Sequence, residues 1–157
     1  MRYIGGLLVV LLLVGCTATG DSRRTLRPRP YDRVAAAYGA YLVVYDRVSA
    51  AGGEGVQALE PLVSPQQYVL ERARADLLRL GGYSTRGHSI FETLATLATL
   101  TIRVCLDTSH VRTFDASGTD ITTGPTRRPY VITYVHSEVP PFTLLLEGVD
   151  PSEPPTC

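Results

Sequence analysis

Residues 31–48, YDRVAAAYGAYLVVYDRV, set Tyr31, Val34, Tyr38, Tyr41, Tyr45 and Val48 at successive spacings of 3, 4, 3, 4 and 3. That alternation puts all six side chains on one face of an α-helix. Ala35, Ala37 and Leu42 widen the stripe, while Asp32, Arg33 and Arg47 fall off it. Gly52 and Gly53 stop the helix, because glycine alone takes the left-handed conformation after a helix end without steric penalty. A second helix is expected from Ser64 onward. Ser64 suits the N-cap, Pro65 the first helical position, and Gln67 completes a capping-box pattern. Val69, Ala73, Leu77 and Leu80 form its apolar face, and Gly81 and Gly82 end it. Between the two helices, residues 56–63 suit a short helical turn.

Beyond Gly82 the hydrophobic period changes from helical to two. Residues 88–93 read as a strand. Residues 99–107 read as the clearest one, with Leu100, Ile102, Val104 and Leu106 on one side and Thr101, Arg103, Cys105 and Asp107 on the other. Asp115 to Gly118 is a turn, and Gly124 with Pro125 marks another. Residues 130–136 alternate Tyr130, Ile132, Tyr134 and His136 against Val131, Thr133 and Val135. Pro140 and Pro141 interrupt the chain before a last strand over 142–149. Helices followed by a run of antiparallel strands define an α+β fold, with N-terminal helices packed on a curved antiparallel sheet.

The sequence of 157 residues has no lysine, asparagine or tryptophan, and its 15 arginines balance 15 acidic residues. Neutrality removes the basic face that a nucleic acid needs. Absent lysine removes Schiff-base chemistry, and absent asparagine removes N-linked glycan sites. His88, His110 and His136 lie far apart with no metal-ligand spacing, and no G-x-S-x-G elbow occurs. No metal, cofactor or catalytic residue is therefore assigned. The glycines at 52, 53 and 55 lack the strand and lysine of a phosphate loop.

Residues 1–16, MRYIGGLLVVLLLVGC, have Arg2 as a positive start and an apolar run from Ile4 to Val14. That is the layout of a secretory signal peptide, and the run is too short for a membrane-spanning helix. Leu13-Val14-Gly15-Cys16 resembles the lipobox of bacterial lipoproteins. The resemblance implies cleavage before Cys16 and lipidation of its sulfur. The expected organisation is a signal peptide over 1–15, a lipidated tether over 16–30 and one domain over 31–157. The tether carries Arg23, Arg24, Arg27 and Arg29 with Pro28 and Pro30. Fully extended, its last 14 or so residues reach at most about 50 Å. The expected location is the extracytoplasmic face of the cell membrane, with the membrane as a partner through the lipid on Cys16. In that oxidising compartment the two remaining cysteines, Cys105 and Cys157, are the natural disulfide pair.

The order of long helix, second helix and strands resembles the cone-shaped nuclear-transport-factor-2-like (cystatin-like) fold. Within that fold the chain resembles small actinobacterial lipoproteins with a polyketide-cyclase-like (SnoaL-type) core. The matching residues are Val104-Cys105-Leu106-Asp107-Thr108-Ser109, with the cysteine one place early, then Asp115 to Gly118, Arg128-Pro129 and Cys157. The family's Gly-Gly-Trp turn is replaced by Val139-Pro140-Pro141-Phe142, which offers Phe142 for the tryptophan's packing place. The resemblance implies a space between helix and sheet. Tyr38, Tyr41 and Tyr45, with Tyr134 and His136 opposite, are its candidate ligand-lining residues. As a neighbour of Cys105, Asp107 is read as structural. The function expected first is non-catalytic binding of an envelope partner or small apolar ligand. The alternative is an isomerase- or cyclase-like enzyme with a carboxylate or histidine base in the cone.

Overall fold

The computed structural model describes residues 30–124, 126–138, 143–153 and 157. Cys16, the tether up to residue 29 and Phe142 lie outside the described residues. The order of elements is α1 (Pro30–Ala50), a 3-10 helix (Val56–Leu62), α2 (Pro65–Gly81), β1 (Ser84–Arg86), β2 (Ile90–Ala98), β3 (Thr101–Asp107), β4 (Arg112–Phe114), β5 (Arg127–His136) and β6 (Leu144–Pro151). The chain is thus α+β. Strands β2, β3, β5 and β6 form one antiparallel sheet in that order, and β1 pairs with β4 in a small second sheet. Among the described residues, no helix is long and apolar enough to cross a membrane.

Helix α1 buries Val34, Tyr38, Tyr41, Leu42 and Val48, the stripe expected from its spacing. These side chains meet Ile102 and Val104 of β3, Ile132 and Tyr134 of β5 and Leu146 of β6 in one core. After α1 the amide of Gly53 returns to the Val48 carbonyl at 2.9 Å. Gly53 has φ of 88°, and a Cβ there would sit 2.2 Å from the Ala75 carbonyl oxygen. Only glycine lets the chain leave α1 and pass this close to α2.

The start of α2 is capped as its sequence implies. Ser64 Oγ accepts the Gln67 amide at 3.1 Å, and Gly82 closes the other end in the left-handed conformation. The Gln67 side chain does not reach back to complete the capping box; its Nε2 donates to Glu71 at 2.6 Å. The Ser64 amide donates instead to the Leu146 carbonyl at 2.8 Å, tying the helix start to the edge strand β6.

The inward face of α2 corrects the sequence reading. Gln67, Glu71 and Ala75 are its buried residues. Val69, Ala73, Leu77 and Leu80 face outward, with Leu77 at 67% exposure and Leu80 at 87%. The reason lies in what each face meets. A small residue is required where Ala75 abuts Gly53, and one turn earlier Glu71 meets hydrogen-bond donors from α1 and α2. Two short strands, β1 and β4, were also unforeseen, being too brief to show a hydrophobic period.

The outer face of the sheet carries the disulfide. Cys105 alternates with the core residues Val104 and Leu106 and pairs across the sheet with Glu92 and Pro129. It is bonded to Cys157, with Cα atoms 5.8 Å apart, and closes a loop of 52 residues. Loop-closure entropy predicts that Cys157→Ser lowers the unfolding free energy of the full chain by about 4 kcal/mol. Urea titration of the oxidised wild type and the variant measures this. Cys157 is exposed, so the loss reports the loop and not a core void, and an unchanged midpoint would contradict it.

Candidate functional site

Helix α1 sets Tyr38, Tyr41 and Tyr45 along the side that faces the sheet. The rings of Tyr38 and Tyr41 stack with centroids 6.0 Å apart, and those of Tyr41 and Tyr45 tilt together at 5.7 Å. Phe91 from β2 meets Tyr38 edge-on at 5.0 Å. The three tyrosines line a cavity of about 370 Å³ that Leu106 and Tyr130 bound from the sheet and Arg74 from α2. Its volume lies in the range of small-molecule sites, roughly 300–1,000 Å³. A second cavity of about 460 Å³ adjoins it between α1, α2 and the β1–β4 end of the molecule. Tyr45 and Arg74 line both.

Behind the tyrosines is a buried carboxylate. Glu71 is 1% exposed, and its Oε1 accepts three donors: Tyr41 Oη at 2.9 Å, Gln67 Nε2 at 2.6 Å and Arg74 Nη1 at 2.9 Å. Its Oε2 has no hydrogen-bond partner among the described residues. Burying a carboxylate is unfavourable unless charge and hydrogen bonds compensate it, and here Arg74 supplies the charge. Arg74 itself remains about half exposed. Burial pulls its pKa down, but Glu71 and the nearby tyrosines outweigh that, so the net shift is upward. The ion pair thus reaches from the core to the cavity wall.

The phenols of Tyr38, Tyr41 and Tyr45 have raised pKa values. Burial is the main cause for Tyr38, Tyr41 and Tyr45, and Glu71 adds to it most for the latter two. Burial also raises Tyr134, with Tyr38 adding to it. Near neutral pH these groups stay protonated and serve as hydrogen-bonding tips on apolar rings. Asp46, one residue beyond Tyr45, accepts the Ser89 amide at 2.6 Å and the Ser89 hydroxyl at 2.9 Å, fixing α1 to the start of β2.

The sequence grouped five residues at this site, and the structure brings three of them together. Tyr134 lies in the core, lining neither cavity, and its buried hydroxyl has no partner among the described residues. His136 is exposed at the end of β5, opposite Leu144. Strand alternation placed both on the helix-facing side but carries no information about depth. Tyr130, four residues before Tyr134 on the same strand face, reaches the wall instead. Arg74 and Glu71 went unrecognised because each reads alone as a surface charge on a helix. Their separation of three residues was the available signal. Elsewhere, His88 and His110 stack at 5.8 Å. Among the described residues no three His, Cys, Asp or Glu side chains gather as a metal site.

The raised phenol values imply a pH dependence. A group whose pKa is higher folded than unfolded stabilises the fold fully below its unfolded value, and that contribution is lost as pH rises toward the folded value. The fold should therefore lose stability above pH about 10, by up to about 1.4 kcal/mol per pH unit for each such tyrosine. Near-ultraviolet tyrosinate absorbance, followed beside circular dichroism, tests this. Part of the absorbance of the chain's nine tyrosines should appear only as the dichroism signal collapses. Smooth ionisation of all nine with the fold intact would contradict it.

No protein-family model matches this chain and no curated protein is similar to it, so its function is read from the chemistry of the cavity.

Proposed function

We propose that the chain is an exported, lipid-anchored envelope protein whose domain binds a small apolar ligand without transforming it. The observation that carries the reading is the cavity of about 370 Å³ lined by Tyr38, Tyr41 and Tyr45, with Leu42, Leu106 and Val149 beside them. Apolar walls with a few hydrogen-bonding tips are the usual makeup of a ligand pocket. The arrangement suits holding more than reacting. The phenols are shifted away from neutral pH, and Glu71 spends one oxygen on three donors and does not line either cavity. Helices over one face of an antiparallel sheet, enclosing a space, agree with a cone-shaped nuclear-transport-factor-2-like architecture. Leu13-Val14-Gly15-Cys16 supports the lipid anchor, which would hold the cavity near the extracytoplasmic membrane surface.

The test uses the full chain recovered from the membrane fraction and placed in phosphatidylcholine nanodiscs. A dodecane carrying a diazirine is added, activated by light, and its crosslinks are mapped by peptide mass spectrometry. Saturable labelling of peptides carrying Tyr38, Tyr45, Leu106 or Val149 is expected. Val149→Trp, which fills the cavity, should reduce it about tenfold or more, since it removes the apolar contacts of several methylenes. Unsaturable labelling scattered over the surface would overturn the ligand-binding reading. Recovery of wild type and Cys16→Ser alike in the soluble fraction would overturn the anchor.

A further inference from the structure

Strand β2 is an edge of the four-stranded sheet, and from its middle the chain reads TLATLATLTI over residues 93–102, ten positions without a charge. The unit Thr-Leu-Ala occurs twice in it, at 93–95 and 96–98. Each unit holds a bulge. Thr93 pairs with Val104 and Ala95 with Arg103, then Thr96 pairs with Ile102 and Ala98 with Thr101. Leu94 and Leu97 are the residues left without a partner on β3, and they are 41% and 54% exposed. A bulge re-aims a side chain, and here both bulges set a leucine outside the ladder. The turn that follows, Thr99-Leu100, contains none of the glycine, proline, asparagine or aspartate that a solvated turn usually carries.

These leucines lie at the end of the domain where the tether joins. Asp46, late in α1, holds Ser89 just before β2, and Tyr38, two turns earlier, meets Phe91. Helix α1 and strand β2 thus run in opposite directions. From Asp46 back to Pro30 the helix rises about 24 Å, and from Ser89 to Ala98 the strand advances about 30 Å. The start of α1 and the β2–β3 turn therefore share one end. Leu80 of α2, beyond the contact of Ala75 with Gly53, lies toward the other.

We infer that the bulged end of β2 rests in the headgroup region of the membrane, with Leu94 and Leu97 as its apolar contacts. This rests on the lipid-anchor reading and gives the anchored domain an orientation. The tether makes the contact intramolecular, so two leucines suffice where a free domain would need a larger patch. Its four arginines, with the exposed Arg33 in the first turns of α1, draw the same end toward anionic lipid. Glu138, which follows β5, is two strands away from β2 and leaves the leucines clear. Another protein strand fits this edge poorly, because two bulges in succession break the ladder it would pair with. Deep insertion is excluded by the unpaired backbone groups of an edge strand, so the contact is shallow, about 5–10 Å into the boundary of headgroups and acyl chains.

The experiment uses the full chain, recovered from the membrane fraction with Cys105 and Cys157 oxidised, in vesicles of equal phosphatidylcholine and phosphatidylglycerol. An environment-sensitive fluorophore is placed through Thr99→Cys or, separately, Leu80→Cys, and lipids brominated near the headgroup end of the acyl chain are added. The fluorophore at 99 should shift to the blue and be quenched, while that at 80 should show neither change. Adding Leu94→Ser with Leu97→Ser should reduce quenching at 99 to the level seen at 80. Retained protection of the tyrosinates at high pH shows that this variant is folded. Quenching at 80, none at 99, or quenching at 99 that survives the serine pair would overturn the inference. A blue shift at 99 without quenching would mean contact with another protein chain and overturn it as well. All of these outcomes leave the anchor standing, whereas recovery of the wild type in the soluble fraction would remove the anchor reading itself.

Discussion

The rest of the structure depends on one buried carboxylate. Glu71 draws Tyr41 from α1, and Gln67 and Arg74 from its own helix, onto a single oxygen. With Ala75 against Gly53 one turn later, it sets the rotation of α2 about its own axis. The hydrophobic effect alone would turn α2 the other way. Burying each of Leu77 and Leu80 is worth about 1.5–3 kcal/mol. The observed rotation persists because turning it would drive leucine into the space that Gly53 and Ala75 share.

That rotation also shapes the cavity. With Glu71 inward, Arg74 lies at the junction of the two spaces, and the tyrosines of α1 pack against its polar turn instead of a leucine stripe. Space is left under α1 that Leu106, Tyr130 and Val149 bound but do not close. The outward stripe of Val69, Leu70, Leu77 and Leu80 is the counterpart of this arrangement. Leu77 of this stripe also borders the second cavity.

How far the sequence could be read follows the same physics. The face of α1 was legible because tertiary packing and local periodicity agree at Val34, Tyr38, Tyr41 and Val48. The strand alternation of β3 was legible because one side is core and the other is not, and the pairing of Cys105 with Cys157 followed from redox chemistry. The face of α2 was misread because periodicity counts apolar residues and gives no weight to a carboxylate that finds three donors. Those donors come partly from Tyr41, 30 residues away, a contact that no local pattern encodes. Tyr130 and Tyr134 share a strand face, and only the placement of α1 above them decides which one reaches the cavity.

The rotation of α2 is the claim on which the cavity and its chemistry stand, and cysteine accessibility measures it directly. Leu77→Cys and Ala75→Cys are made separately in the full chain, with Cys105 and Cys157 oxidised, and maleimide labelling is followed under native conditions. The structure predicts that the cysteine at 77 reacts as fast as one in an unfolded peptide, while the cysteine at 75 stays blocked until the protein unfolds. Rapid reaction at 75 with protection at 77 would mean that the leucine stripe faces inward, and the account built on Glu71 would fall.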